Sequence, residues 1–167
     1  AYYQIGETAA ALDIELLLEP LDRLANKRNL LGPTQETLAM IQTLRNHGVP
    51  ISFAWDAAHA GLNGENIEKS LEEAGPALAQ MHLSNAVLEP RDPRYGDHHM
   101  SFGAPGFLTG SFAASLLRKG ASLPERTAPL YVAVEVRCLP EQDPFQLEKG
   151  CREFLQRAMA TARDQSN

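Results

Sequence analysis

Four runs of apolar residues recur along the chain, and each is followed by a loop and then by a helical pattern. The runs span residues 14–20, 50–56, 77–85 and 129–137. Their apolar residues are continuous, which is typical of strands in a parallel sheet that is covered on both faces. Strand and helix alternating four times predict an α/β fold with right-handed crossovers. A doubly wound sheet and a barrel both fit this alternation.

The segments between the runs carry helix signals. Leu38, Ile41 and Leu44 are spaced so that they share one helix face, and Gly48 is predicted to cap that helix at its C-terminus. The sequence further predicts helices over residues 66–75, about 109–119 and 143–161. No linker or low-complexity segment interrupts the pattern, so we expect residues 1–167 to form a single domain.

Composition limits the classes of partner. The net charge is −6 without a block of like charges, so the chain lacks a basic surface for a phosphate backbone, and nucleic acid is not an expected partner. No apolar stretch approaches the roughly 18 residues that span a bilayer, so we expect no membrane partner. Cys138 and Cys151 follow no CxxC spacing, which favours a reduced, cytoplasmic setting.

A side chain able to bind a metal stands near the carboxyl end of every run. In chain order these are Glu19, Asp56, His82 and Glu135. The carboxyl ends of parallel strands lie side by side, so we expect the four side chains to converge. Burying such a glutamate unpaired is costly, and a shared divalent cation would remove that cost. Three carboxylates and one histidine suit Mn²⁺, Mg²⁺, Co²⁺ or Zn²⁺.

The loop after the third run adds further candidate ligands. The stretch GDHHMSFGAPG holds Asp97 and His99 beside glycines, and His59 follows Asp56 by three residues. These histidines move the balance toward zinc or a multinuclear site. Taken singly, each residue has an ordinary explanation, since Asp56 can cap the turn that follows it and His82 can be a core histidine. Their joint occurrence at four strand ends is what favours a metal site.

The motifs LLLEPL, FAWDAAHA, MHLSN, GDHHMSFGAPG and VAVEV, in this order, resemble the second half of the xylose-isomerase-like TIM barrels. That superfamily includes sugar isomerases and epimerases, hydroxypyruvate isomerase, inosose dehydratase and metal-dependent apurinic endonucleases. The resemblance runs from about Glu15 to Phe154. It implies an α/β fold of TIM-barrel type, with four βα units that correspond to strands five to eight of a (β/α)8 barrel.

The resemblance also implies residue roles. The family's metal-binding Glu, Asp, His and Glu correspond to Glu19, Asp56, His82 and Glu135. His59 corresponds to a histidine that contacts substrate in the isomerases and binds an additional metal in the endonucleases. Asp97 and His99 correspond to an Asp-x-His pair that is prominent in the endonuclease-like and inositol-pathway branches. In the epimerases the two glutamates also exchange protons with carbons beside a carbonyl, which implies an acid/base role for them here.

The function implied is a metal-dependent isomerase or epimerase of a carbohydrate-like small molecule: a sugar, a sugar phosphate or a related polyol or keto acid. Arg91 and Arg137 are weaker candidates for holding a polar end of that substrate. The alternatives are a zinc-dependent endonuclease-like phosphodiesterase, an inosose-type dehydratase and a non-catalytic truncated barrel. The DxxH and DxH motifs support the phosphodiesterase, whereas the net negative charge of the chain opposes it.

Two departures from the family pattern matter. A complete barrel has eight strand-helix units and typically about 250 residues, whereas four units are predicted here. Because half a barrel would leave two sheet edges open, we expect the missing half to come from the same longer chain or from a second copy in a homodimer. Asn85 replaces the aspartate of the family's HLxD motif, and we expect this change to loosen the support of the third strand.

Overall fold

The computed structural model describes residues 2–123 and 129–164 and contains one four-stranded parallel sheet in the order β1-β2-β3-β4. The strands are β1 (Leu16–Leu18), β2 (Ile51–Asp56), β3 (Leu78–Ser84) and β4 (Tyr131–Glu135). Within the described ranges the α-helices are α1 (Tyr2–Ala11), α2 (Thr34–Arg45), α3 (Ala57–Leu62), α4 (Ile67–Ala74), α5 (Gly110–Ser122) and α6 (Pro144–Asp164). Each predicted run contains one strand, which confirms the α/β class.

The register of the sheet staggers the strand ends along one edge. In β1 and β2, Leu18 pairs with Phe53; in β2 and β3, Asp56 pairs with His82. Farther along, Ser84 of β3 pairs with Glu135 of β4. Four parallel strands adjacent in chain order, with helices between them, have the arrangement of half a TIM barrel. The carboxyl ends of all four strands therefore meet at one edge of the sheet.

One face of the sheet packs against the helices. Phe53 and Trp55 of β2 are buried in the main core with Leu83 of β3, and the Trp55 Nε1–H donates to Ser70 Oγ of α4 at 3.0 Å. Because neighbouring residues of a strand face opposite sides, Asp56 lies on the other face. The helices thus cover the apolar face and leave the ionisable residues free to form a site.

Coverage on both faces, predicted for every strand, holds only for part of the sheet. All six residues of β2 are buried, as predicted. In the edge strands the prediction is wrong, because Leu17 of β1 is 44% exposed and Tyr131 of β4 is 66% exposed. Leu16, Leu18 and Val132 pack against the core. Leu17 and Tyr131 alternate with them, so they point to the face away from the helices and stay open to solvent.

The helix ends agree with the sequence patterns except at two places. Helix α2 ends at Arg45 with Asn46 as its C-cap, so the prediction of Gly48 as the cap is wrong; Gly48 adopts φ +78° in the following turn. Helix α3 is not apparent from periodicity, because it is only six residues long and its start depends on the side chain of Asp56. No helix in residues 2–123 or 129–164 is long and apolar enough to cross a bilayer.

Asn85 organises the loop that precedes α5. Its side chain is fully buried; Nδ2 donates to the carbonyls of Ser101 and Gly103 at 2.7 and 2.9 Å, and Oδ1 accepts from Leu108 N–H at 2.8 Å. An ionised aspartate has no N–H to donate to those two carbonyls. The expectation that asparagine loosens this region is therefore wrong, because the amide stabilises the loop through three hydrogen bonds.

The close packing of Gly106 against Asn85 gives a prediction for stability. A Cβ atom on Gly106 would lie 2.2 Å from Asn85 Oδ1, and the amide cannot move away without losing its backbone hydrogen bonds. We expect Gly106→Ala to lower the free energy of unfolding by about 2–3 kcal/mol, as measured by urea denaturation.

Gly150 provides the matched control for Gly106→Ala. It lies inside α6, and a Cβ atom there would meet nothing within 4 Å. We expect Gly150→Ala to raise the free energy of unfolding by about 0.5–1 kcal/mol, because alanine has the higher helix propensity. Equal stabilities of Gly106→Ala and the wild type would show that the hydrogen bonds of Asn85 in this loop do not contribute to stability.

Candidate metal centre

Four ionisable residues meet at the carboxyl edge of the sheet. One ligand atom from each lies within 4.8 Å of the others, and we call this set the first cluster: Glu19, Asp56, His82 and Glu135. His82 Nδ1 lies 3.1 Å from Glu19 Oε1 and 3.0 Å from Glu135 Oε1. The structure thus brings together all four residues that the sequence pattern selected.

The spacing inside the first cluster suits a divalent cation. Oxygen and nitrogen ligands lie about 2.1 Å from ions such as Zn²⁺ or Mg²⁺, so ligands at right angles around the ion are about 3 Å apart. The distances from His82 Nδ1 to the two glutamates are close to that value. Because three carboxylates surround one histidine, the cluster also carries the negative charge that a divalent cation neutralises.

Asp56 is held rigidly and is almost fully buried. Its side chain accepts from His59 N–H at 2.8 Å through Oδ1 and from Ser84 Oγ at 2.6 Å through Oδ2. Burial raises the pKa of Asp56, and these hydrogen bonds only partly oppose the shift. Asp56 is therefore both the N-cap of α3 and a cluster member, so the two explanations of this residue are compatible.

His82 is electrostatically coupled to the carboxylates around it. Burial alone would lower its pKa, but the hydrogen bond to Glu19 and the charges of Glu19, Glu135 and Asp56 raise the pKa overall. The surrounding carboxylates thus favour a positive charge at this position. A metal ion binds the neutral imidazole, so it would have to displace the proton from His82. The metal ion and the proton would therefore compete for the negative charge of the same carboxylates.

Ser84 supports Asp56, which gives a prediction for metal affinity. The Ser84 hydroxyl donates to Asp56 Oδ2 and accepts from Ala58 N–H at 3.1 Å, so it fixes the orientation of the carboxylate. We expect Ser84→Ala to weaken metal binding by about 10–100-fold in calorimetric titration, as is usual when the support of a ligand is removed.

Ser115 offers a comparison for the Ser84 variant. Its hydroxyl donates at 2.7 Å to Glu68, in a contact between α5 and α4 away from the cluster. We expect Ser115→Ala to leave the metal affinity unchanged. If Ser84→Ala bound metal as tightly as the wild type did, the orientation of Asp56 would not depend on Ser84.

A second cluster lies beside the first and consists of Asp22, His59 and Asp97. All three residues are buried. Asp22, in the loop after β1, is a site residue that the sequence analysis missed because the apolar run has ended before it. The available signal was weak: an aspartate three residues after Glu19, within EPLD.

His99 connects the two clusters. Its Nε2 lies 3.3 Å from Asp97 Oδ2, and its Nδ1 lies 3.5 Å from Glu135 Oε2. The backbone of His99 has φ +48°, and its carbonyl accepts from Arg137 N–H at 2.7 Å. Neighbouring His98 is exposed, so the DHH stretch contributes its first and third residues to the site.

Arg91 and Arg137 lie at the surface. Both are exposed. Arg91 N–H donates to the side chain of Glu89, and Arg137 N–H donates to His99. The backbone contact with His99 places Arg137 near the clusters. Binding of substrate by either guanidinium stays a prediction.

Comparison with known proteins identifies the fold. No protein-family model and no curated protein matches the sequence. Solved structures do match: an L-ribulose 3-epimerase at 18% identity and TM-score 0.70 covers 98% of this chain. The 3-keto-D-glucoside 4-epimerase YcjR from E. coli is 18% identical, with TM-score 0.66 over 92% of this chain. The IOLI protein, solved with a bound zinc atom, is 15% identical, with TM-score 0.58 over 96% of this chain.

The likeness concerns half of each neighbour. The match covers 53% of the L-ribulose 3-epimerase, 50% of the 3-keto-D-glucoside 4-epimerase and 52% of the IOLI protein. The chain therefore spans about half the length of these structures. At such low identity the comparison establishes the fold alone, half of a TIM barrel.

Proposed function

We propose that this chain carries the metal site and the acid/base residues of a metal-dependent isomerase or epimerase that acts on a sugar, a sugar phosphate or a related polyol or keto acid. The observation that carries the proposal is the position of two glutamates on either side of His82. Glu19 and Glu135 reach His82 from the opposite edge strands, and their side chains are 30% and 33% exposed. A substrate above the strand ends can therefore contact both carboxylates.

The first cluster would hold one divalent cation through Glu19, Asp56, His82 and Glu135. When bound, the cation supplies Lewis acidity that polarises a carbonyl and a neighbouring hydroxyl of the substrate and so favours the enediolate. Asp56 is nearly inaccessible and would serve only as a ligand. The metals that suit this donor set are Mn²⁺, Mg²⁺, Co²⁺ and Zn²⁺.

The two glutamates would move the proton. One, ionised, accepts the proton from the carbon beside the carbonyl, and the electron pair of that C–H bond passes into the enediolate. The other, protonated, returns a proton to the opposite face, so the configuration of that carbon inverts without net oxidation. His59 Nδ1 accepts from Asp22 N–H at 3.1 Å, so the neutral ring carries its proton on Nε2 and joins α3 to the loop after β1.

Proton exchange with solvent tests this proposal directly. We expect purified protein loaded with Mn²⁺ or Co²⁺ to introduce deuterium from D₂O beside the carbonyl of ketoses or ketose phosphates. The exchange is measured by the loss of the corresponding proton signal in NMR spectra, together with the appearance of the epimer. Treatment with EDTA should stop both. The proposal would be wrong if the metal-loaded protein changed none of a panel of ketoses, ketose phosphates and keto-polyols.

The second cluster favours one other candidate function. Asp22, His59 and Asp97 lie beside the first cluster at distances that permit another metal ion, as a multi-zinc phosphodiesterase would require. The net charge of −6 opposes binding to a nucleic-acid backbone. Cleavage of duplex DNA with an abasic site by the zinc-loaded protein, without deuterium exchange in ketoses, would favour this candidate.

The open sheet edges support a further part of the proposal, namely that more strands complete the barrel. Leu17 and Tyr131 expose apolar surface on the two edge strands, and the neighbouring structures are about twice as long as this chain. The completing strands would belong to the same longer chain or to a second copy. A solution mass of twice 18.3 kDa for the chain would support the second copy, and a single-chain mass would favour the longer chain.

A further inference from the structure

Asp97 is a buried carboxylate with an unusual lack of hydrogen bonds. Its side chain is 1% exposed, and neither Oδ1 nor Oδ2 has a hydrogen-bond partner among the described residues. A buried carboxylate of this kind is costly unless a positive charge lies close to it. The second cluster therefore requires a cation near Asp97.

Lys27 supplies such a charge from within the chain. Its Nζ lies 3.4 Å from Asp97 Oδ2, and its side chain is 42% exposed. The distance is that of an ion pair rather than of a well-formed hydrogen bond. His99 Nε2 lies 3.3 Å from the same oxygen, and Lys27 adds beside it a permanent positive charge that neutralises Asp97 without an added ion.

The loop after β1 fixes Lys27 in this position. Lys27 N–H donates to the Asp22 carboxylate at 3.1–3.2 Å, and Asn26 N–H donates to the same carboxylate at 2.6 Å. Asn26 Oδ1 in turn accepts from Asp97 N–H at 2.7 Å. Asn26 and Lys27, which are consecutive in one turn, thus bind both acidic members of the second cluster. The same turn places the Lys27 side chain beside Asp97.

The remaining ligands of the second cluster are already engaged. The Asp22 oxygens accept backbone N–H groups, and the lone pair of His59 Nδ1 accepts Asp22 N–H. A metal at His59 Nε2 would require the other tautomer of the ring and would break that hydrogen bond. A lysine ammonium beside Asp97 requires no such rearrangement.

The first cluster differs in this respect. The ion pairs of Glu19 and Glu135 are made with His82 and His99, whose charge depends on protonation, rather than with a permanently charged side chain. The first cluster therefore gains more from a divalent ion than the second does.

We propose that the ammonium group of Lys27 occupies the cation position of the second cluster, so that a divalent ion binds at the first cluster and none binds beside Asp97. Lys27 then limits the site to a single divalent ion, which opposes the multi-zinc phosphodiesterase. The assignment rests on the proposed function only for the ion in the first cluster.

The number of bound zinc ions tests this assignment without an activity assay. The purified protein and Lys27→Met are saturated with Zn²⁺, separated from free ion by gel filtration and analysed by elemental mass spectrometry. We expect Lys27→Met to hold one zinc per chain more than the wild type, because methionine fills a similar volume without the charge. Lys69→Met, which removes a lysine paired with Glu73 on an exposed helix face, should match the wild type.

Equal zinc content in Lys27→Met and the wild type would overturn the assignment. A wild type without zinc would reject the metal site of the proposed function, while the difference between the two proteins would still decide the role of Lys27. If Lys27→Met does not fold, the zinc content of Asp97→Asn is measured in its place. We expect Asp97→Asn to keep the zinc content of the wild type, and loss of one zinc would mean that Asp97 binds metal despite Lys27.

Discussion

His82→Ala is expected to abolish metal binding and to slow deuterium exchange in the substrate by about 10³-fold or more. The Nδ1 atom of His82 is the central contact of the first cluster, 3.0–3.1 Å from both glutamates. Removal of the ring takes away one metal ligand and leaves three carboxylates facing one another. Loss of the several kcal/mol that a Lewis acid contributes to the transition state corresponds to a rate effect of about this size. Calorimetric titration and exchange measured by NMR provide the two readouts.

His47→Ala is the control for this variant. His47 is exposed, its ring lies 5.0 Å from that of Tyr3, and its Nδ1 contacts the carbonyl of Thr43 in α2. We expect His47→Ala to bind metal and to exchange deuterium like the wild type. Metal binding of undiminished affinity in His82→Ala would show that the first cluster is not the metal centre.

Glu135→Gln is expected to slow epimerisation by about 10²–10⁴-fold at saturating metal, because glutamine preserves the shape of the side chain but carries no transferable proton. Glu19 lies on the other side of His82 and remains ionisable. We therefore expect Glu135→Gln to retain deuterium exchange with only one of the two epimeric substrates. Glu19→Gln should retain exchange with the other epimer.

This complementary pattern separates an acid/base role from simple metal binding. If the two glutamates acted only as ligands, both variants would lose exchange with both epimers to a similar extent. Glu148→Gln removes an exposed carboxylate that pairs with Arg152 on α6 and should behave as the wild type does. Wild-type epimerisation by Glu135→Gln at saturating metal would contradict the proposed proton transfer.

The first cluster could be anticipated because it follows from strand direction alone. Each of its residues lies near the carboxyl end of an apolar run, and parallel strands bring their carboxyl ends to one edge. These residues could therefore be selected from the sequence without knowledge of the loop conformations. The same reasoning could not select among the loop residues, since His98 and His99 are adjacent in sequence and only His99 contacts the clusters.

The second cluster required the folded loops. Asp22 and Lys27 come from the loop after β1, whereas Asp97 comes from the loop after β3, and a hydrogen bond joins Asn26 to Asp97 across 71 residues of sequence. Neither loop has a periodic pattern that predicts its path. Gly96 allows the close approach: its φ is +119°, and a Cβ atom there would lie 1.9 Å from Asn26 Oδ1.

Asn85 shows how a residue considered alone can mislead. Compared with an HLxD motif it looks like the loss of an acidic residue, yet its amide binds three backbone groups of the loop before α5. The need for two N–H donors becomes evident only when the carbonyls of Ser101 and Gly103 are in place. A polar substitution can therefore be interpreted only with its partners.

By itself, the sequence determined the α/β alternation, the strand positions and the four residues of the first cluster, because apolar periodicity and strand direction are local properties that survive any arrangement of the loops. Only the tertiary structure decided which loop residues join them. It placed Lys27 opposite Asp97, engaged His59 with Asp22 and left β1 and β4 partly exposed. Those features depend on where segments distant in sequence meet, and such contacts leave no periodic signal in the chain.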